Sequence, residues 1–472
     1  MKSIIWIIMA ALAAVIVSSC ISDDITTDPS ARLTFSRDTV SFDTVFTDLG
    51  TPTARLQVFN RNKKGLNISK IRFADENTPF TINVDGVSGR SFSDVEIRAN
   101  DSIYIFLECF IPETTSDKPR LIEDKLLFTV NGREQAVVVE AWGRNVIRLR
   151  NLTVTEDMTL TDRMPYVIFD SLRVAAGATL RIEPGAQLLF HDKASLTVDG
   201  TIEAVGSPGK MIDMRGDRLD NVLPDVGYDI LAGQWMGIRL SPESFDNRME
   251  YVNMRSTVHG LVADSCGVTD RVKLTLLNSW LHNSQASALH SSHARVDAYG
   301  CIFSEAADAV VLLDGGVHEF VQCTIANNYL FSAISQPLLT LLNAVPDEEG
   351  AVAPAAPLMS ANFENSIIYG LAADISPGDL SGSNVYLRNV LLKSAGNNDD
   401  HFIDCLWDTD PLFLTNREEY YFNYMPAPDS PAVDAGNPAF VRPFFQYDMF
   451  GTDRLRPGSY GVTLGALVPL PE

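Results

Sequence analysis

The stretch Gly177-Ala178-Thr179-Leu180-Arg181-Ile182-Glu183-Pro184-Gly185-Ala186 sets one short strand of alternating apolar side chains between two glycine turns. The same texture returns at Leu196-Thr197-Val198-Asp199-Gly200-Thr201-Ile202-Glu203-Ala204 and at Gly233-Gln234-Trp235-Met236-Gly237-Ile238-Arg239-Leu240. Each run is too short for a helix and alternates with period two, so this part of the chain reads as repeated short strands separated by turn residues.

Towards the C-terminus the texture acquires a period. Asn253-Met254, Trp280-Leu281, Cys301-Ile302, Thr324-Ile325, Ser366-Ile367 and Val390-Leu391 align at separations of 27, 21, 23, 42 and 24 residues. A repeat of this length is one coil of a solenoid, in which two or three short parallel strands stack on the next coil at about 4.8 Å and close the backbone hydrogen bonds between coils. The 42-residue step is either two coils or one coil with an insertion, and the Pro/Ala-rich residues 345–357 suit the insertion. Asn278, Cys301, Cys323 and Asn365 fall near the start of the repeated strand, where a corner lets small polar residues bond neighbouring backbone.

The three opening stretches, in this order, resemble the first coils of the right-handed parallel β-helix family, the pectate-lyase-like group. That family holds pectate and alginate lyases, polygalacturonases and many adhesive or scaffold proteins, so the resemblance implies a fold and no single chemistry. The segment Asp429-Ser430-Pro431-Ala432-Val433-Asp434-Ala435-Gly436, with Asp448, Gly451, Arg454 and Gly465-Ala466, resembles the tail that closes many extracellular β-helices. The resemblance implies a cap on the last coil, whose open strand edge invites aggregation. Asp434 and Arg454 are then structural residues rather than catalytic ones.

Residues 31–145 have a different pattern: short alternating strands such as Arg55-Leu56-Gln57-Val58-Phe59-Asn60 and Ile103-Tyr104-Ile105-Phe106-Leu107, with turns at Asp85-Gly86 and Asn131-Gly132. This predicts an antiparallel sandwich of about seven strands. The order of Phe42 to Phe46, Gly50, the strand ending at Asn60, the Asp101-Ser102 turn and the Val-rich strand ending at Gly143 resembles the immunoglobulin-like accessory modules of bacterial surface proteins. The fold class is therefore all-β, an N-terminal β-sandwich (31–145) followed by a right-handed parallel β-helix with its C-terminal cap (146–472).

Ahead of the sandwich, Lys2 precedes an apolar run over 4–17 and then Val17-Ser18-Ser19-Cys20. This is the layout of a secretory signal, too short for a comfortable membrane span. Small residues before Cys20 match the lipoprotein-processing consensus, which predicts a lipoprotein signal segment (1–20) cut ahead of Cys20, with acylation of the Cys20 thiol. Several acyl chains on one cysteine hold a protein on a bilayer durably, at about 0.8 kcal/mol per buried methylene. Residues 21–30 read as a polar tether. Its Ser22-Asp23-Asp24 cluster resembles the surface-export signal of Bacteroidota lipoproteins, and Ile21 is not the Asp that retains lipoproteins in the inner membrane. An outer-membrane location follows, with the leaflet left open.

A formal net charge of −23 and a sequence pI near 4.7 argue against nucleic acid, which needs clustered cationic side chains. The same charge disfavours anionic glycans unless a local basic groove exists. Beyond Cys20 there are Cys109, Cys266, Cys301, Cys323 and Cys405, an odd and widely spaced set with no metal-ligand spacing. They read as small buried hydrophobes, and no metal or cofactor is implied.

The chemistry-bearing residues are scattered. Uronate lyases need a base and often carboxylate-held Ca²⁺, and polygalacturonases need close aspartates. No such constellation stands out, and Asn397-Asn398-Asp399-Asp400-His401 reads as a polar loop. Among His259, His282, His290 and His293, aligning Gly260-Leu261 with Ala288-Leu289 and Ala309-Val310 turns His290 outward between Val262 and Val311, with Asp264, Ser292 and Leu313 stacked two residues on. Exposed aromatics offer sugar-stacking faces, Trp280 and Tyr299 foremost. The long segment 206–233, containing Arg215-Gly216-Asp217-Arg218, interrupts the coils and projects from them. The candidate ligand-binding residues are thus Asp217, Asp264, Trp280, His290 and Tyr299, with the site expected between that loop and the sheet of Asp264 and His290. The preferred reading is a non-enzymatic envelope lipoprotein presenting the β-helix to a polysaccharide or a surface protein. The alternative is a polysaccharide lyase or glycoside hydrolase.

Overall fold

The computed structural model describes residues 24–223, 226–334, 336–342, 358–376, 380–455 and 461–469. The signal segment, Cys20 and the 345–357 segment lie outside the described residues. The chain divides into two compact units, Met1–Asn145 and Val146–Glu472.

The first unit is a sandwich of a five-stranded and a six-stranded sheet. Period-two strands such as Phe80–Val84 and Ala54–Asn60 bury alternate side chains, so Leu56, Ile68, Ile71, Phe80 and Phe128 meet in a closed core. Two expectations change. Pairing is not antiparallel throughout: Thr39–Phe46 runs parallel to Arg133–Arg144, because the chain crosses from one sheet to the other through 36–38 instead of turning back in a hairpin. Residues 24–30, expected as free tether, dock on the sandwich: Ile25 bridges Gly65, and Asn131 Nδ2 donates to the carbonyls of Thr26 and Asp28 at 3.0 and 2.9 Å.

The second unit is a parallel β-helix. A ten-stranded sheet forms one face (face C), and a 17-stranded sheet carries two further parallel ladders (faces A and B). Face A runs through Ile212–Gly216, Val252–Thr257, Trp280–Ser284, Ile302–Ala306, Thr324–Asn327 and Ile367–Gly370. Inward side chains stack coil on coil, as in the face B column Leu196, Ile238, Leu261, Leu289, Val311 and Leu339. A one-residue slip would turn that whole column to solvent, which pins the register. Close coil stacking also requires glycine at one corner: a β-carbon on Gly237, whose φ is +99°, would lie 2.1 Å from the Gly260 carbonyl oxygen.

The observed register differs from the sequence alignment in places. Trp280 pairs with Ile302, not Cys301, and Thr324 pairs with Ile367. The long step is therefore a single coil with an insertion. The slip has a physical cause: Ile302 faces outward yet is apolar, because the C-terminal tail covers it with Tyr424, Met449 and Leu467. On face B His290 pairs with Val262 and Leu312, and Asp314, not Leu313, follows Ser292.

The tail differs from its expected role. Its described residues run back along the corner between faces C and A. Asn278, Gln322, Asn365 and Asn389 occupy equivalent corner positions in left-handed backbone, with φ of 45°, 55°, 48° and 51°. Asparagine tolerates this region. Their side chains face the tail: Asn278 donates to the Tyr447 carbonyl, Gln322 to Thr463, and Asn365 both donates to and accepts from Asn437. Arg454 is buried at the same corner, donating to the Ala466 carbonyl at 2.9 Å. Burial holds its guanidinium down at about 10. The tail is a lateral strap along the coils.

Candidate functional site

A cleft of about 270 Å³ opens on face A. Its floor comes from outward positions on successive coils, where register sets Arg255 beside His282 and Asn253 beside Trp280. One wall is the loop that leaves face A at Gly216, whose Tyr228–Ile230 turn folds back over Arg255. The other wall is a finger of the tail, residues 412–427, in which Leu414 and Asn416 pair with Met425 and Tyr421. Its turn brings Glu419 and Tyr420 to the rim, facing Tyr329 and Phe331. On the finger's far side a second hollow of about 300 Å³ is lined by Tyr369, Lys393, Asp410 and Arg417.

The corner at the end of each face A strand decides how these walls are held. Ser256, Asn283 and Glu305 occupy it on three coils, all in left-handed backbone, with φ of 66°, 57° and 46°. Ser256 Oγ donates to the Asp229 carbonyl at 2.6 Å, and Asn283 Nδ2 donates to the carbonyls of Asp229 and Ile230 at 2.7 and 2.8 Å. The loop is thereby fixed through its backbone. At the third position the Tyr424 hydroxyl donates to Glu305 Oε1 and accepts from Asn328 Nδ2, which seats the finger. Arg417 at the finger turn donates to the carbonyls of Asn328 and Tyr329.

The guanidinium of the cleft floor is paired. Arg255 bonds Asp213 through Nη1 and Asp229 through Nε, the latter at 2.7 Å. Arg215 reaches the same Asp229 oxygen at 3.3 Å. Burial opposes the charge on Asp229, but the two guanidiniums outweigh it and hold its carboxyl below the ordinary range. Burial, aided by Arg255, pushes the His282 imidazole down to about 3, so it is neutral at physiological pH and shares a hydrogen bond with Asn253 Oδ1 at 3.0 Å. Burial lifts the Glu305 carboxyl to about 7. Its Oε2 is enclosed and meets no hydrogen-bond partner.

Of the five residues singled out from sequence, only Trp280 lies in the cleft. Its ring stacks on His282 with centroids 4.6 Å apart, and its Nε1 donates to Ser304 Oγ at 2.9 Å. Asp217 follows a face A strand but turns to His191 at 2.6 Å. Asp264 and His290 belong to face B, where Asp264 accepts from Arg239 and His290 meets Ser292. Tyr299 is on face C, bonded to Glu319 at 2.6 Å and wedged against Phe445, where it anchors the strap. The projecting loop thus borders face A, not the sheet of Asp264 and His290, because Arg215 and Arg255 draw Asp229 onto face A. The cleft residues not singled out from sequence were Arg255, Asp229, Asn283, Glu305 and the finger aromatics Tyr420 and Phe422. One signal was available: Ser256, Asn283 and Glu305 stand three residues beyond Asn253, Trp280 and Ile302, a polar column in the repeat.

No protein-family model and no curated protein matches this chain. Solved structures similar to parts of it include a family 123 glycoside hydrolase from Clostridium perfringens, studied for glycolipid glycan hydrolysis, at 11% identity and a TM-score of 0.19, covering 26% of this chain and 26% of that one. Another is a protein of unknown function from Porphyromonas gingivalis W83, at 15% identity and a TM-score of 0.19, covering 27% of this chain and 58% of that one. The chain thus spans less than two thirds of either neighbour, and likeness at that level carries no inference, so the chemistry of the cleft rests on its own residues.

Proposed function

We propose that this protein is an envelope lipoprotein that binds a neutral carbohydrate in the face A cleft. The observation that carries the reading is the lining: the rings of Trp280, Tyr329, Phe331, Tyr420 and Phe422 around Asp229, Asn283, Glu305 and Glu419. Aromatic faces stack on the apolar faces of sugar rings, while carboxylates and amides take the hydroxyls. Arg255 is the cleft's one guanidinium among the lining residues, and two aspartates already neutralise it. A uronate would find no free cation there, so a neutral glycan is favoured.

Phe331 and Tyr420 are 48% and 41% exposed, so truncating them leaves the core intact. Phe331→Ala with Tyr420→Ala is expected to weaken binding to an immobilised neutral glycan by roughly 2 kcal/mol, about thirtyfold in Kd, with an unchanged thermal transition. Equal retention of variant and wild type across a panel of neutral and acidic polysaccharides would count against the cleft.

In this reading the chain is anchored by acyl groups on Cys20 to the outer membrane, and the immunoglobulin-like sandwich spaces the β-helix from the bilayer. Radiolabelled palmitate is expected to mark the wild type and not Cys20→Ala, and label on the variant would refute this attachment.

A further inference from the structure

We propose that the cleft cleaves what it holds: Glu305 donates a proton to the bridging oxygen of a glycosidic bond in a neutral oligosaccharide, and Asp229 accepts the proton of the attacking water. This rests on the carbohydrate reading above and adds a reaction to it. The expectation of a scaffold without chemistry followed from the absence of a carboxylate and guanidinium constellation in the sequence. The fold assembles one, from a loop, two coils and a corner.

The geometry sets Glu305 apart from its neighbours in the column. Ser256 and Asn283 use their side chains to hold the loop. Glu305 sits in the same left-handed backbone, which a β-carbon-bearing residue adopts at a cost that recurs at functional sites. Tyr424 fixes Oε1, and Oε2 has no partner although it is buried. A buried anion with an unbonded oxygen costs far more than the neutral carboxylic acid. Glu305 lines the cleft, and its Oε2, enclosed while the cleft is empty, turns towards the bound glycan to deliver its proton. Asp229 is prepared in the opposite sense. Its Oδ2 takes both guanidiniums, and its Oδ1 lies over Gly227, where a β-carbon would stand 2.6 Å from it.

The titratable groups around the two carboxyls agree with this division. His282 is neutral, Arg255 and Arg215 are engaged with aspartates, Tyr424 is held protonated by burial, and Glu419 stands on the finger. One carboxyl protonated near neutral pH and another ionised in the same cleft is the division of labour that glycoside cleavage needs. As the bond between the anomeric carbon and the bridging oxygen breaks, the proton of Glu305 goes to that oxygen and the leaving sugar departs as an alcohol. The water oxygen bonds to the anomeric carbon and its proton passes to Asp229. One glycoside and one water become two sugars. Solvent returns a proton to Glu305 and removes one from Asp229, and no oxidant or reductant is involved.

The test uses the mature chain with xylan, mannan, galactan and glucan and their oligosaccharides, following binding and new reducing ends together. Product is expected from a glycan that binds. Glu305→Gln should lower kcat on that glycan by ~10²–10⁴-fold, far more than it raises Kd, and should lower kcat far less on a nitrophenyl glycoside, whose leaving group needs no proton. Wild-type activity should fall as pH rises through about 7. Asp229→Asn should also lose turnover, with circular dichroism and retained binding checking that the loop still folds. Binding without new reducing ends from mildly acidic to mildly alkaline pH overturns the hydrolysis and leaves the binding reading standing. Equal turnover by Glu305→Gln overturns the assignment of the proton donor. Retention of no glycan in the set overturns both readings.

Discussion

Trp235→Ala is expected to destabilise the β-helix by about 3–5 kcal/mol, the range for truncating a large buried aromatic. The indole is fully buried and stacks on Phe190 with centroids 3.9 Å apart and planes 7° from parallel. It fills the coil interior where the projecting loop rejoins the coils. Its Nε1 also donates to the Arg255 carbonyl at 2.8 Å, so the alanine variant leaves a buried acceptor unsatisfied beneath the cleft floor. Trp235→Phe keeps most of the stack and loses the donor, and should cost about 1 kcal/mol. Urea unfolding followed by circular dichroism measures both. Coils contact only their neighbours, so a cavity in one coil can also split the transition into two. An alanine variant within 1 kcal/mol of wild type would mean that the interior refills the space, contrary to the rigid stack described.

The second large effect is on the pH dependence of stability, where three opposed buried groups make a joint contribution that peaks near pH 6.5. Burial lowers His282 to about 3 and His318 to about 4. Both are neutral in the fold, and the unfolded chain binds their protons below about 6.5. Their contribution is therefore complete above that pH and is lost as pH falls towards the folded values. Glu305 works the other way. Its folded value of about 7 lies above the unfolded value, so its contribution is complete below about 4.5 and is lost as pH rises through 7. Each group changes stability by about 1.4 kcal/mol per pH unit within its window. Between pH 6.5 and 4.5 two histidines oppose one glutamate, so stability falls by about 1.4 kcal/mol per unit on acidification. Measuring differences from wild type cancels the remaining groups. His318→Gln should remove one histidine's share of the acid slope, and Glu305→Gln should steepen that slope between pH 4.5 and 6.5 while removing the fall between pH 6.5 and 7. Parallel curves for variants and wild type would rule out these groups as the source.

How far the sequence could be read depended on what its pattern encodes. The coil period was legible because inward apolar residues such as Met254, Leu281 and Ile325 recur coil after coil. The register failed at Cys301-Ile302, because an apolar outward residue is indistinguishable from an inward one until its cover is known, and that cover comes from Tyr424 and Met449, more than a hundred residues away. The tail's path was hidden for the same reason. Asn278 and Asn365 were correctly placed at a corner, but their partners, Tyr447 and Asn437, are not coil residues. For the site, Trp280 was identified by residue type alone. Asp217 was chosen over Asp229 on the same loop, since nothing local distinguishes a carboxylate that meets a histidine from one that meets two stacked arginines. Glu305 offered only its place in a column with Ser256 and Asn283, a signal that needs the true register before it can be seen.

The finger that completes the cleft, and the strap that follows it along the corner, come after every coil in the order of synthesis. As the chain is made, coil can settle on coil with face A open and Ile302 and Ala326 bare to solvent. The pocket does not yet exist at that stage. It forms only when Tyr424 reaches Glu305 and the strap locks into the corner of Asn278, Gln322 and Asn365, so the cleft is the last feature that the fold acquires. A copy interrupted before residue 412 would carry the whole solenoid and still lack the cleft, with a bare apolar stripe along its flank.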